Sequence, residues 1–320
     1  MYNLTIIIPT HQRHSYFSRI NEYFKNIKAF VIVIDSTEII YNGKFSENIK
    51  YFHEPNKTFS EKILFSLLNS KTNYFALCAD DDFVIFDTIY KGVKLLQENK
   101  SISTILGKTI AFHENFNGKY YHNNLDSTET LYLAQNSVKL FFNNYTQVLW
   151  GLYRREVLEK AFQIVLISNF QNQNFIELVL GGICCNTGGI IILNDLLSVR
   201  ELSAKVHWGD KNKSIVLQYF ESPHHNDFKK FKKNVDAITK DGFAKKILLE
   251  YINMKKLVFL KFKLKYFIKH ILKAIRPVID DSNTEYSSSY IKYSNLNIYV
   301  PNPIEAEKLE SVSQILNQFH

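Results

Sequence analysis

The sequence Tyr74-Phe75-Ala76-Leu77-Cys78-Ala79-Asp80-Asp81-Asp82 joins an apolar run directly to three consecutive aspartates. A short apolar run of this kind predicts a buried strand. Asp87 follows five residues later, where it is placed to cap a helix that continues through Ile89, Val93 and Leu96. A buried strand, a polar turn and a helix in this order are typical of an α/β protein.

Strands and helices alternate in the same way throughout residues 1–112. Thr58-Phe59-Ser60-Glu61 has the pattern of a capping box, which predicts the start of a helix that ends near Asn69. The alternation predicts a mostly parallel central sheet flanked by helices. The other predicted elements here are strands at Leu4 to Pro9, Phe30 to Ile34, Asn48 to His53, Tyr74 to Ala79 and Ser103 to Phe112, and a helix at Tyr16 to Phe24.

Periodic segments continue after a predicted loop at residues 115–131, which is rich in Asn, Tyr and His. Tyr153 to Phe162 and Phe175 to Leu180 are predicted helices, and Gly188 to Leu193 is a predicted strand. A Ser- and Asn-rich stretch then leads to a predicted helix from about Ile304 to Leu316.

The composition excludes several classes of protein. Of the 320 residues, 46% are hydrophobic and 14% aromatic, which is more apolar surface than a largely disordered chain carries. The three cysteines, Cys78, Cys184 and Cys185, match neither a disulfide framework nor a zinc site, and they favour a reducing compartment. Residues 1–10 lack the shape of a signal peptide, and no apolar stretch approaches the roughly 20 residues that cross a bilayer. Any membrane contact is therefore expected to be peripheral.

Polar residues stand where the predicted strands end. Pro9, Thr10 and Arg13 follow the first strand, Asp35 ends the second, and residues 80–82 end the fourth. The carboxyl ends of parallel strands meet at one edge of the sheet, and ligands of open α/β sheets bind there. We therefore expect these residues to surround one binding site.

The three aspartates repel one another unless a cation neutralises them or water solvates them. Mg²⁺ uses one or two protein carboxylates and completes its shell with water and phosphate oxygens, which a nucleotide diphosphate supplies. The cluster therefore predicts a divalent metal site, for Mg²⁺ or Mn²⁺. The alternative is an acidic loop that caps a helix.

These segments resemble the family 2-type glycosyltransferases of the GT-A fold. The resemblance rests on Leu4-Thr5-Ile6-Ile7-Ile8-Pro9-Thr10, on Val31-Ile32-Val33-Ile34-Asp35, and on the stretch from Tyr74 to Asp82 with Asp87 beyond it. It implies a GT-A (Rossmann-like) fold and the inverting transfer of a sugar from a nucleotide-diphosphate donor, a UDP-sugar, with a divalent metal. The second strand departs from the commoner Asp-Asp-Gly-Ser pattern by continuing Asp35-Ser36-Thr37-Glu38.

In that family the first strand and the aspartate of the second hold the nucleotide, and the aspartates after the fourth strand bind ribose and metal. Ala79 stands where many members have an acidic residue, so the partner of Asp80 in the working pair is either Asp81 or Asp82. By this resemblance the nucleotide contacts are Pro9, Thr10, Arg13, Asp35 and Asp80, and the metal ligands are Asp81 and Asp82.

The site that the resemblance implies is completed by three residues from later parts of the chain. Glu177 occupies the place of the family's catalytic Asp or Glu and is the predicted general base, with a solvated glutamate on a helix face as the alternative. Arg200 and His207 come where the family has a basic residue near the diphosphate or a histidine near the metal. The alternative for His207 is a surface loop histidine.

A strongly basic segment lies near the C-terminus of this chain of formal net charge +8. Residues 245–276 contain ten Lys or Arg and one acidic residue, Glu250. As a helix, the segment places Lys261, Lys265, Lys269 and Lys273 on one face and apolar residues such as Leu264 and Phe267 on another. This pattern predicts peripheral association with an anionic membrane surface. The predicted surface is the cytoplasmic face of the plasma membrane. The alternatives are a basic helix packed on the catalytic domain and a strand at Lys261 to Lys265.

We predict four regions: residues 1–114 bind the nucleotide sugar, 115–215 bind the acceptor, 216–276 form a basic helical extension, and 277–320 form a linker and a short helix. The predicted function is transfer to a glycan or lipid-linked acceptor in bacterial-type surface polysaccharide or glycoconjugate synthesis. One alternative is a GT-A-like module that binds nucleotide sugars without catalysis. A basic nucleic-acid-binding protein is the other, but no nucleic-acid-binding motif accompanies the charge, so no nucleic-acid partner is expected.

Overall fold

A central sheet with helices on both faces forms the body of the protein, which we describe from a computed structural model at residues 3–122, 130–132, 137–143, 147–202, 215, 225–256, 260, 264, 267–268 and 297–319. Its first elements are β1 (Leu4–Thr10), α1 (Phe17–Phe24), β2 (Phe30–Asp35), β3 (Ile49–His53), α2 (Phe59–Leu68), β4 (Tyr74–Leu77), β5 (Phe83–Val84), α3 (Phe86–Glu98) and β6 (Ile102–His113). The elements after these are β7 (Tyr120–His122), β8 (Thr130–Tyr132), α4 (Ser137–Asn143), β9 (Leu152–Arg154), α5 (Arg155–Ser168), α6 (Phe175–Thr187), β10 (Gly189–Leu202), α7 (His225–Ile238), α8 (Phe243–Met254), β11 (Ile298–Tyr299) and α9 (Pro303–Phe319).

Four parallel strands, in the order β3-β2-β1-β4, form the centre of the sheet. Thr10 lies opposite Asp35, and Asp35 lies opposite His53, so β1, β2 and β3 end at the same level. Successive side chains of β1 enter different cores, Ile6 on one face and Ile7 on the other. The strand is therefore buried along its whole length, and its centre, Ile6 to Ile8, is apolar because both faces are covered.

Helices cover the two faces of the sheet. On the face that buries Ile6, α1, α3 and α9 contribute Phe17, Val93 and Val312. On the face that buries Ile7, α2, α5 and α6 contribute residues of a second core that includes Ile63, Phe162 and Val179. Each fully buried side chain of this size contributes about 1.5–3 kcal/mol relative to exposure.

The second half of the sheet is built on the long strands β6 and β10, which run parallel to each other. β9 lies antiparallel between β4 and β6 and joins the two halves. Register shifts on both sides of Leu196 interrupt the pairing of β10 with β6, as β-bulges do. Beyond them, Ser198 and Val199 pair with β5. The end of β10 is thereby brought beside the turn that follows β4.

The predicted α/β fold class, with a parallel core and flanking helices, is confirmed, but several boundaries differ from the predictions. α3 begins at Phe86, so Asp87 lies in its first turn and does not cap it, although its charge there complements the helix dipole. Tyr153 is in β9 because strand pairing with β4 and β6 overrides its helical pattern, and α5 begins at Arg155. β10 extends to Leu202, well beyond the predicted strand, because β5 and β6 supply partners.

The predicted C-terminal helix is confirmed as α9, and Leu309, Val312 and Leu316 pack it into the core that contains Ile6. Most of the predicted linker and the basic segment at 257–259, 261–263, 265–266 and 269–296 lie outside the described residues. The division into four regions stays a prediction. Among the helices that the structure describes, none has the length and apolarity to cross a bilayer.

Candidate active site

A cavity of about 830 Å³ opens at the carboxyl ends of β1 and β4. The strand ends, α2, α6, β10 and the segment before β9 all contribute to its lining. A concave site with several convergent polar groups is the usual form of a small-molecule binding site. Its ionisable lining residues are His11, Arg13, Lys57, Lys62, Asp80, Asp81, Asp82, Glu177, Arg200 and Glu201.

Arg13 holds the first two aspartates of the cluster. Its Nη1 donates to Asp80 Oδ1 at 3.1 Å and to Asp81 Oδ2. Thr10 Oγ1 donates to the other oxygen of Asp80 at 2.6 Å. The loop turns sharply after β1, since Gln12 adopts a left-handed conformation with a φ of 56°. The turn after β1 and the turn after β4 are thus joined through charged hydrogen bonds.

The third aspartate is held by β10. The backbone N–H of Glu201 donates to Asp82 Oδ1 at 3.0 Å, and Arg200 Nε lies 3.4 Å from Asp82 Oδ2. Arg200 also donates from Nη1 to Gln147 Oε1 at 2.7 Å. Asp82 therefore depends for its position on a strand more than a hundred residues away along the chain.

A buried ion pair supports this contact from behind. The Glu201 carboxylate accepts hydrogen bonds from Tyr16 OH and from Arg19 Nη1, both at 2.7 Å. Arg19 and Glu201 are both buried, and the Arg19 guanidinium also lies 4.5 Å from the centre of the Tyr16 ring. Breaking one partner of a buried pair leaves an uncompensated charge, so these side chains fix the end of β10 against α1.

Burial makes two of the aspartates, Asp80 and Asp82, harder to ionise. It raises the pKa of Asp80 to about 6, and the charge of Asp81 adds to this rise while Arg13 opposes it. Burial also raises the pKa of Asp82 to about 7, against the opposing charge of Arg200. Positive charge delivered to this edge of the cavity therefore favours the ionised carboxylates.

Lys62, on α2, is a buried cation beneath the cavity. Its Nζ donates to the carbonyl oxygen of Thr10 at 2.7 Å and to Ser36 Oγ at 3.0 Å. Burial lowers its pKa to about 8, although Asp80 and Asp35 oppose that shift. Sequence reasoning missed this residue. The available signal was a lysine directly after the capping box and one turn after the N-cap, on the side of α2 that faces the ends of β1 and β2.

Asp35 is placed differently from the prediction, because it lies under the site and does not line the cavity. It is fully buried and accepts hydrogen bonds from Thr37 N at 2.8 Å, His14 Nε2 at 2.7 Å and Tyr51 OH at 2.9 Å. Burial alone would raise its pKa, but the hydrogen bonds from Thr37, His14 and Tyr51 outweigh burial and lower it. The next residue, Ser36, is the one that lines the cavity.

Glu177 and Trp150 also line the cavity. Glu177 lies in the first turn of α6 and is half-buried. Trp150 lies before β9, and its ring forms a T-shaped pair with Phe59 of α2 at 6.3 Å between centroids. A carboxylate and an aromatic side chain thus share the cavity with the three aspartates.

A hard divalent cation fits the donor set at the aspartate edge, where Asp81 and Asp82 present carboxylate oxygens to the cavity. A Mg²⁺ site of one or two carboxylates, water and phosphate needs no larger protein cluster. Within the described ranges no three His, Cys, Asp or Glu side chains are arranged to hold a metal ion. Because Arg13 contacts both Asp80 and Asp81, a cation there competes with its guanidinium.

Most of the predicted site residues meet at this one cavity. Asp35 is the exception among the described ones, and His207 lies outside the described residues. Sequence reasoning missed Lys62 and Glu201, because their roles depend on how α2 and β10 fold back onto the strand ends. Those that line the cavity are Pro9, Thr10, Arg13, Asp80, Asp81, Asp82, Glu177 and Arg200.

The parallel core, the long paired strands β6 and β10 and a cavity at the strand ends define an α/β protein of the GT-A type, as the motifs predicted. A scan against protein-family models gives no match, and a search of curated proteins gives none either. The comparison with solved structures does give matches.

The fold is similar to that of S. aureus TarS. The match to the crystal structure of TarS has 14% sequence identity and a TM-score of 0.50, and it covers 79% of this chain but only 43% of that chain. TarS 1-349 matches with 13% identity and a TM-score of 0.52, over 79% of this chain and 71% of that one. TarS 1-349 in complex with UDP-GlcNAc matches with 14% identity and a TM-score of 0.52, over 79% and 72%. At such identities the likeness shows a shared fold.

Proposed function

We propose that this chain is a glycosyltransferase that moves a sugar from a nucleotide-diphosphate donor to an acceptor hydroxyl. The observation that carries the proposal is the single cavity whose lining brings together the aspartates at the strand ends, Glu177 and Trp150. A UDP-sugar is the proposed donor, and the crystal complex of TarS 1-349 with UDP-GlcNAc supports that choice.

Positive side chains on three elements would bind the diphosphate. Arg13, Lys62 and Arg200 all line the cavity, and they come from the loop after β1, from α2 and from β10. Arginine pairs with phosphate oxygens in a bidentate manner. Thr10 and Pro9 lie beside them, and buried Asp35 fixes the turn that presents Ser36 to the nucleotide.

Asp81 and Asp82 are the proposed ligands of Mg²⁺ or Mn²⁺, with Asp80 as the alternative member of the pair and His207 as a further ligand. A metal bound there supplies positive charge against the leaving diphosphate. Arg200 and the Glu201 amide orient Asp82 for this role, and Arg13 orients Asp81.

Glu177 is the proposed general base. Its carboxylate accepts the proton of the acceptor hydroxyl as that oxygen bonds to the anomeric carbon. The bond from the anomeric carbon to the β-phosphate oxygen breaks in the same step, and the nucleoside diphosphate leaves with the bonding electron pair. A single displacement of this kind inverts the anomeric centre.

A glycan or a lipid-linked molecule is the proposed acceptor, in bacterial-type surface polysaccharide or glycoconjugate synthesis. We place the enzyme on the cytoplasmic face of the plasma membrane as a peripheral protein. The support for this location is the basic segment at residues 245–276, together with the exposed side chains of Leu264 and Phe267 within it.

The proposal is tested by incubating the full chain with UDP-GlcNAc, with and without Mn²⁺, and measuring both UDP release and thermal stability. A ligand present at 100 times its Kd adds about 2.7 kcal/mol of stability. We expect UDP and Mn²⁺ together to raise the melting temperature more than either alone, and to give slow UDP release. No stabilisation by any nucleoside diphosphate, with or without metal, contradicts the proposal.

The contacts of Arg13 favour one other candidate, a module that binds a nucleotide sugar without catalysis. Its guanidinium already neutralises Asp80 and Asp81, so nucleotide binding without metal is possible at this edge. UDP release from the donor at a rate that Glu177→Gln lowers would exclude this candidate. Metal-independent UDP binding without release would support it.

A further inference from the structure

A second cavity, of about 260 Å³, adjoins the first. It lies between α4, α6 and the C-terminal end of α8, and Glu177 and Asn174 line both cavities. Glu177 therefore stands where the two cavities meet. Asp80, Asp81 and Asp82 line the first cavity and not the second, so a hydroxyl group that enters from the second cavity reaches the proposed base without passing the aspartates.

Among the described residues, the second cavity has mostly apolar walls, one cation, and the polar Asn174 and Glu177 that it shares with the first cavity. Phe142, Leu178, Tyr251 and Met254 supply the apolar walls, and the rings of Phe142 and Tyr251 lie edge to face at 6.2 Å between centroids. The cation is Lys255, at the end of α8. Apolar walls with an ammonium group suit a ligand that combines an apolar chain with an anionic head.

Exposed apolar side chains follow α8 in the sequence. Leu260, Leu264, Phe267 and Ile268 are helical residues with exposed fractions of 49%, 61%, 63% and 46%. Their spacing of four, three and one places them on one helical face. Basic residues surround them in sequence, which is the pattern of a helix that rests on an anionic membrane surface.

From these features we infer that the second cavity is the acceptor subsite and that it takes a lipid-linked phosphate. The inference rests on the proposed function and decides between its two acceptor classes. The apolar walls hold the first part of the lipid chain, Lys255 pairs with the phosphate, and the sugar or alcohol beyond it presents its hydroxyl to Glu177. The exposed face after α8 holds the cavity mouth near the bilayer from which such an acceptor comes.

Direct binding of small probes to the full chain tests the inference without any donor. The probes are octyl phosphate below its micelle concentration, octyl glucoside, which has the chain without the charge, and glycerol phosphate, which has the charge without the chain. Because hydrogen bonds to charged groups are stronger than those between neutral groups, we expect octyl phosphate to bind at least about tenfold more tightly than either control by titration calorimetry.

Adjacent lysines provide matched variants, because Lys255 lines the cavity whereas Lys256 does not, and both are exposed. We expect Lys255→Glu to weaken octyl phosphate binding about tenfold and Lys256→Glu to leave it within about twofold. Equal loss in both variants, or equal affinity for octyl phosphate and glycerol phosphate, overturns the inference. The second outcome would mean that the site recognises phosphate from any source and not a lipid.

A labelling experiment locates the bound probe. The native cysteines Cys78, Cys184 and Cys185 are buried, so Met254→Cys introduces a thiol that reagents can distinguish. Octyl phosphate is expected to slow its alkylation, and unchanged labelling at saturating probe would overturn the inference. Since no nucleotide is present, these results stand apart from the UDP experiments that test the proposed function.

Discussion

Arg13 determines the charge balance of the aspartate cluster. Three carboxylates face two guanidinium groups, those of Arg13 and Arg200, which leaves one negative charge when all three aspartates are ionised. A cation entering with a diphosphate changes that balance, because phosphate oxygens offer Arg13 a new partner while the metal takes its place at the carboxylates. Nucleotide and metal are therefore expected to bind more tightly together than separately.

Asp81 gives the clearest single-residue test. Of the three aspartates it makes the fewest contacts with the rest of the protein, because Thr10 also holds Asp80 and the Glu201 amide holds Asp82. We expect Asp81→Ala to lose metal-dependent nucleotide binding and transfer while the unfolding free energy stays unchanged or rises, since like-charge repulsion is removed. Calorimetry with UDP and Mn²⁺ measures the first effect and urea denaturation the second.

The comparison variants are Asp80→Ala and Asp82→Ala. Whichever of these two loses less metal-dependent UDP affinity marks the aspartate that lies outside the metal shell. Normal metal-dependent UDP affinity in all three variants would show that the metal site is elsewhere. A large loss of stability in Asp81→Ala would instead mean that Arg13 needs this partner for folding.

A different signature is expected for Glu177. Glu177→Gln keeps the shape of the side chain but cannot accept the proton, so we expect turnover to fall about a hundredfold or more. Donor binding occurs before the chemical step, and UDP affinity should therefore stay near the wild-type value. Rapid UDP release from UDP-sugar by the Gln variant would assign the base to another carboxylate.

Lys62 predicts a pH effect on stability. Below pH 8 its amine is charged in both folded and unfolded chains, and the fold carries the cost of burying that charge. Above about pH 8 the folded chain loses this proton first, since the unfolded pKa is about 10.4, so the unfolded state binds more protons and stability rises with pH. Relative to Lys62→Met, wild type should gain on the order of 1 kcal/mol of unfolding free energy between about pH 7.5 and 9.5. Exposed Lys71→Met is the control, and a pH-independent difference for Lys62→Met would contradict the lowered pKa.

At the scale of elements, the start of α2 is specified by local sequence. Thr58 Oγ1 accepts from the N–H of Glu61, and the Glu61 carboxylate accepts from the N–H of Thr58, which completes the capping box that the sequence predicted. Thr58 also lines the cavity, and Lys62 follows one turn later. The cap therefore sets both the helix and the position of a site cation.

Loss of this cap should cost stability. We expect Thr58→Ala to lower the unfolding free energy by about 1 kcal/mol, because an N–H of the first turn loses its acceptor. Glu61→Gln is the matched control, since glutamine also completes a capping box, and its cost should be a few tenths of a kcal/mol at about neutral pH. Urea denaturation of the three proteins measures the difference, and equal stability of wild type and Thr58→Ala would mean that tertiary contacts alone hold the helix end.

Sequence patterns predicted the elements whose signals are local. The apolar run of β1 and the capping box of α2 depend on neighbouring residues, and both form as predicted. Tyr153 in β9 and the extension of β10 to Leu202 were missed because distant strands provide their pairing partners. The site residues follow the same rule. Sequence motifs predicted the residues at the strand ends, whereas the position of Lys62 depends on packing that no single segment encodes.

On the scale of the whole molecule, the C-terminal third of the chain contributes to the core of the fold and also contains the basic extension. Ala244 and Ile247 of α8 are buried in the core that includes α6, and an added Cβ at Gly182 would lie 2.3 Å from Ile247. α8 is thus a structural helix. Leu249 of α8 is 50% exposed, and four further exposed apolar side chains follow the helix at Leu260, Leu264, Phe267 and Ile268, so we expect membrane contact mainly from the residues that follow Lys256.

Flotation with anionic liposomes tests the membrane role. The full chain should float with vesicles that contain phosphatidylserine and detach as salt increases, since each basic residue near the surface contributes about 1 kcal/mol. A full-length variant in which Lys261, Lys265, Lys269 and Lys273 are replaced by Gln keeps both core helices, α8 and α9, and should fold but bind vesicles only weakly, whereas a chain that ends near Lys240 would lose both helices and could not separate membrane binding from folding. Leu264→Ser with Phe267→Ser should weaken flotation while leaving the charge intact.

The control for the paired substitution is Leu68→Ser, which changes a leucine that is 84% exposed at the end of α2, on another part of the surface. If both apolar burial and charge hold the helix on the membrane, the paired variant loses flotation at a salt concentration where Leu68→Ser and wild type still bind. Flotation of the variant with four Lys→Gln substitutions at the wild-type level would remove the segment from this role. Flotation that disappears with salt but ignores the paired substitution would mean that the lysines bind the headgroups without insertion of the apolar face.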